Sequence, residues 1–80
     1  MIAIEIVERL RTCLLGIENA PGASRTDAEW LRLQCDDTLG CAGQSRRDSL
    51  RQLGKDAAQL ISEFPGVLPP FLEEVLARHT

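Results

Sequence analysis

Residues 45–64, SRRDSLRQLGKDAAQLISEF, decide the fold. Leu50, Leu53, Gly54, Ala57, Leu60, Ile61 and Phe64 recur there at three- and four-residue spacing. At 100° per residue they draw one apolar stripe roughly 120° wide. The pattern predicts a helix over 46–64 with a single buried face. Ser45 is placed to cap its start on the amide of Asp48, Pro65 to stop it and Gly66 to supply the flexible exit. Every other segment reads as a cover for that stripe.

Upstream, Ala3, Ile6, Val7, Leu10, Cys13, Leu14 and Ile17 share one face of a helix over 2–18, with Glu5 and Arg9 as a supporting pair four residues apart. The alternation from Ile2 to Ile6 also fits a short strand, but nothing else in the chain is rich in β-branched and aromatic residues, and a lone strand leaves its backbone groups unpaired. Ile4 and Leu15 fall on the flank of the helix. The break Asn19-Ala20-Pro21-Gly22 carries a left-handed cap candidate, Asn19, and a Pro-Gly turn.

A helix over 27–39 follows, with Thr26 and Glu29 spaced as a capping box. Ala28, Leu31, Cys35, Thr38 and Leu39 form its main stripe, while Trp30 and Leu33 point to nearly the opposite side. Gly40-Cys41-Ala42-Gly43 is the loop into the central helix. After Pro65, Pro70 opens a short helix over 70–78, in which Phe71, Leu72, Val75 and Leu76 form the apolar face. Glu73 and Glu74 in its first turn, with Arg78 and His79 at its end, match the helix dipole. The expected architecture is all-α, a small four-helix bundle made by residues 1–80 as one helical domain.

Composition narrows the function. A net charge of −3 gives no general attraction to phosphates or anionic membranes. Charges interrupt the apolar N-terminus too early for a signal peptide or membrane span. Three cysteines, an odd number with no secretory signal, point to the reducing cytosol. One histidine, no tyrosine and no phosphate-cradling glycine motif leave nothing that resembles a catalytic constellation or a cofactor site. Cys35 and Cys41 are spaced too widely for a zinc pair, and Asp36-Asp37 diverge on a helix, so no metal is expected either.

Three stretches invite a binding role. Trp30 and Leu33 form either an exposed anchor for a partner protein or a second copy, or a second buried face of a helix at the bundle centre. Arg46, Arg47, Arg51 and Lys55 gather at the start of the central helix, where the dipole is already positive. They suit an acidic partner surface or phosphate, or a solvated flank neutralised by Asp48, Asp36, Asp37 or Glu63. The same cluster allows a small helix-turn-helix DNA-binding regulator, although the loop from Gly40 to Gly43 is loose for that motif. Asp48-Ser49-Leu50 at a helix start resembles the attachment motif of acyl carrier proteins. That resemblance implies a carrier whose Ser49 bears phosphopantetheine, and it covers only the tripeptide and the length of the following helix. Arg46-Arg47 stands where that family has a glycine-containing approach. The reading that accommodates most residues is a non-catalytic interaction module, an adaptor, chaperone-like or inhibitory protein, contacting a larger protein through Trp30, Leu33, Arg47 and Arg51.

Overall fold

The computed structural model describes residues 3–78 and contains four helices, with no strand among the described residues. They are α1 (Ile4–Glu18), α2 (Arg25–Gly40), α3 (Gly43–Glu63) and α4 (Pro70–Arg78). The all-α four-helix bundle expected from periodicity is the observed fold. Ile2 and His79 lie outside the described residues. The molecule measures 36 × 23 × 17 Å, and α3, with 21 residues, runs about 31 Å at 1.5 Å per residue. The central helix therefore spans nearly the whole long axis.

α1 packs on α2, α2 on α3 and α3 on α4. The pairs Arg11–Asp36 and Arg32–Glu18 set α1 antiparallel to α2, because rising numbers on one helix meet falling numbers on the other. Gln34–Asp56 and Thr38–Ser49 do the same for α2 and α3. One core joins all four helices: Val7, Leu10 and Leu14 from α1, Ala28, Leu31 and Cys35 from α2, Leu50, Leu53, Ala57 and Leu60 from α3, and Leu72 and Leu76 from α4. Leu68, in the α3–α4 connection, plugs the same core. All but Leu68 are residues that three-and-four spacing selected, with Ile4, Ile6, Cys13, Ile17, Ile61 and Phe64 half-covered around them.

Helix ends depart from the sequence signals. α3 begins at Gly43 after Ala42, not at Ser45, because Gly43 takes φ +60° and turns the chain within a two-residue connection. Arg46 donates from Nε to the carbonyl of Cys41 at 2.9 Å, satisfying that connection with a side chain. α2 begins at Arg25, so the Thr26–Glu29 capping box is not formed. Ser24 precedes the helix at φ −87°, ψ 1°, outside the extended region from which a hydroxyl caps. Asn19 stays right-handed at φ −87°, ψ 0°, and its N–H returns to the carbonyl of Leu15. Pro70 does open α4, and Gly66 makes the preceding turn at φ +84° with its N–H on Glu73 Oε1 at 3.1 Å.

The expected Glu5–Arg9 pair is replaced by a contact between helices: the Arg9 guanidinium lies 5.6 Å from the centre of the Phe71 ring, tying α1 to α4. Phe71 therefore sits partly exposed at the rim, and Leu72 and Leu76 carry the buried face of α4.

Between α1 and α2 the charges alternate. Arg32 pairs with Glu18, its Nη2 reaching Oε1 at 3.1 Å, and its Nη1 holds Asp36 Oδ2 at 3.0 Å, while Asp36 also pairs with Arg11. The Arg32 and Glu18 side chains are only 17 and 18 % exposed, so this pair is screened less than a fully exposed one. The hydrogen bond from Arg32 is the largest cause holding the Glu18 carboxyl below its ordinary value of 4.5. A depressed carboxylate contributes stability that is present above its unfolded pKa and is lost as pH falls through the folded one. Glu18→Gln should thus flatten the acid limb of a urea-midpoint-versus-pH curve below about pH 4.5; an unchanged limb would assign that loss to other carboxylates.

Two glycines predict opposite effects. Gly16→Ala adds a methyl with nothing within 4 Å in the body of α1 and should stabilise by about 0.5–1 kcal/mol. Gly66→Ala also meets open space, yet it forces a side chain to positive φ and should cost about 1 kcal/mol. Thermal midpoints moving in opposite directions check both.

Candidate functional site

α2 divides its surface three ways. Leu31, Cys35 and Thr38 face the core, Arg32 and Asp36 face α1, and Gln34 faces α3. What remains is the outer stripe that carries Trp30 and Leu33, 68 and 42 % exposed. Both belong to the surface, so the reading of α2 as buried on two faces does not hold. Leu15 is also at the surface on α1, whereas Ile4 packs on the core.

Trp30 borders a groove of about 230 Å³ between α2 and α3. Leu31 and Leu60 supply its apolar floor, and Asp27 stands beside Trp30 on the α2 wall. Asp56, Gln59 and Glu63 form the α3 wall because they recur at three- and four-residue spacing on the flank turned toward α2. Gln34 bridges the floor by donating from Nε2 to Asp56 Oδ2 at 2.5 Å, and Gln52 donates to the other Asp56 oxygen at 3.1 Å. Gln59 donates to Glu63 Oε1 at 2.7 Å. The Oε1 of Gln34 is buried with no hydrogen-bond donor among the described residues.

Arg47 and Arg51 do not join this groove. By helical rotation they stand roughly 180° and 140° around α3 from Asp56. Both are exposed, as is Lys55, and none makes an ion pair among the described residues. Three of the four expected neutralisers are engaged elsewhere, Asp36 by Arg11 and Arg32, Asp48 by Gln44 at 3.0 Å and Glu63 by Gln59, and Asp37 makes no ion pair among the described residues. The structure thus separates the four sequence-predicted contact residues into an apolar pair on α2 and a cationic pair on the far flank of α3. The apolar pattern alone does not disclose the groove; its signal in the sequence is the polar series Asp56, Gln59 and Glu63 at helical spacing.

Ser49 sits half-buried against α2. Thr38 is fully buried and donates its hydroxyl to the carbonyl of Gln34 at 2.8 Å. The 2.5 Å contact to Ser49 must therefore use the Ser49 proton. The hydroxyl that an acyl carrier protein presents for attachment is here spent on packing two helices. The connection between α2 and α3 is only Cys41-Ala42, tighter than the loose loop expected. The two helices stay side by side from Thr38–Ser49 to Leu31–Leu60. That is an αα-hairpin, whereas a helix-turn-helix sets its helices at about 90–120°.

Among the described residues no three His, Cys, Asp or Glu side chains are grouped to hold a metal ion, and no helix is long and apolar enough to cross a membrane. No family model matches the chain, and neither the curated proteins nor the solved structures contain a match.

The three cysteines are free: Cys35 buried, Cys13 and Cys41 half-buried. Burial, the largest cause, pushes the Cys35 thiol up to about 12, leaving it a neutral core hydrophobe. Iodoacetamide at pH 8 should label Cys13 and Cys41 in the folded protein and reach Cys35 only in denaturant, as read by peptide mass spectrometry. Labelling of Cys35 at the same rate as the other two would show that the core opens far more readily than its packing implies.

Proposed function

We propose that the protein is a non-catalytic interaction module of the cytosol that covers a surface of a larger protein, with Trp30 and Leu33 as its apolar anchors. The observation that carries this reading is the exposure of the chain's single tryptophan beside a groove with an apolar floor. A large aromatic left in water on a small helical scaffold is the residue type that most often dominates a protein interface when it becomes desolvated. Rigid helices on both sides hold the groove in shape, which lowers the ordering cost of association. Arg47 and Arg51 offer a second, charged contact to an acidic surface reached around the other flank of α3. A second copy is the alternative occupant of the Trp30 face.

The test pairs composition with shape. Tagged wild-type protein should retain a stoichiometric partner, or sediment as a dimer, and Trp30→Ser with Leu33→Ser should lose that association while far-UV circular dichroism stays unchanged. Association that survives both substitutions at full strength overturns the assignment of this face.

A further inference from the structure

We infer that the groove between α2 and α3 receives an arginine side chain from a partner protein, stacked on Trp30 and hydrogen-bonded to the carboxylates around it; this rests on the reading of the Trp30 face as the docking surface. The argument is one of charge and hydrogen-bond complementarity. Asp27, Asp56 and Glu63 line the groove, and no lysine or arginine does. None of the three makes an ion pair among the described residues, in contrast to Glu18 and Asp36 on the other side of α2. Of the cations of α3, Arg47 and Arg51 project from the opposite flank, and Lys55, one turn before Gln59, is exposed and makes no ion pair with the groove carboxylates among the described residues.

Each glutamine amide of the groove spends one of its two N–H groups internally. The Gln34 amide nitrogen is committed to Asp56 and that of Gln59 to Glu63. Acceptors still outnumber donors: beside the Trp30 indole N–H and the second amide hydrogens of Gln34 and Gln59 stand three carboxylates, and Gln34 Oε1, buried and without a donor among the described residues, adds negative potential beneath them. A ligand that fits must therefore be cationic, rich in N–H donors and able to lie flat on an indole. Guanidinium meets all three conditions, with five donors in a plane that stacks on an aromatic face and bridges carboxylates bidentately. An ammonium supplies the charge as a compact, strongly hydrated point and cannot bridge in that way. The apolar floor of Leu31 and Leu60 suits the methylene stem of the same side chain.

Trp30 reports directly, because it is the only tryptophan in the chain. Acetylated, amidated hexa-arginine titrated into the full chain should change Trp30 emission saturably, and hexa-lysine should bind at least several-fold more weakly. Asp27→Asn with Glu63→Gln should weaken hexa-arginine about tenfold. Glu5→Gln with Glu8→Gln, the same change in net charge on exposed positions of α1, should leave the affinity unchanged. Circular dichroism confirms that both double variants remain helical. Equal weakening by the two double variants, equal affinity for the two peptides, or no saturable change would each overturn the proposal. If hexa-arginine fails while Trp30→Ser still abolishes partner association, the docking face stands and its arginine occupant falls. If partner association survives Trp30→Ser, the face itself falls and the arginine site falls with it.

Discussion

α2 has to serve two neighbours at once, and the rest of the molecule follows from how it does so. A helix presents only so much circumference, and α2 gives one flank to α1, the other to α3 and the strip between them to the shared core. The α1 flank is ionic, with Arg32 held between Glu18 and Asp36. The α3 flank is uncharged near the connection, where the Ser49 hydroxyl donates to that of Thr38. These unlike seams distinguish the two partners of α2, since swapping α1 and α3 would set Arg32 against amides and leave the buried Thr38 hydroxyl without its serine. The face left over has no helix to cover it, and it carries the tryptophan.

Charge is segregated in the same way. With a net charge of only −3 the molecule looks electrically bland, but α3 alone carries unpaired arginines on one flank and carboxylates on the other. Long side chains of opposite sign on opposite flanks of one helix cannot reach each other. Each flank is therefore free to meet an outside group of opposite charge, and the composition conceals two local fields of opposite sign.

Much of this was legible before any coordinates. The three-and-four spacing of Leu50, Leu53, Ala57 and Leu60, and of Val7, Leu10 and Leu14, identified the buried faces because burial of apolar surface is the strongest signal a sequence carries. Trp30 and Leu33 were legible as lying off the main stripe of α2, but not their exposure, which depends on how many helices surround α2. The helix starts depart from the sequence signals for a local reason. Ser45 and Thr26 have the right side chains for capping, yet a cap needs extended backbone at that residue, and the positive φ of Gly43 and the compact dihedrals of Ser24 moved the starts upstream. Ser49 shows the limit of short motifs: whether its hydroxyl is free turns on Thr38, eleven residues away and one helix over.

The order of packing, each helix against its successor in the chain, bears on how quickly the molecule finds itself. Contacts of small sequence separation require only short segments to be brought together, so little chain entropy is lost before the first leucines meet. The two-residue hinge at Cys41-Ala42 brings α2 and α3 together almost as soon as either forms. Arg9 on Phe71 is a distant link in the sequence, and it lies at the rim, where it can form last without delaying the interior. A chain wired in this sequence belongs with the bundles that fold in microseconds to milliseconds, not with sheets that wait on distant strands.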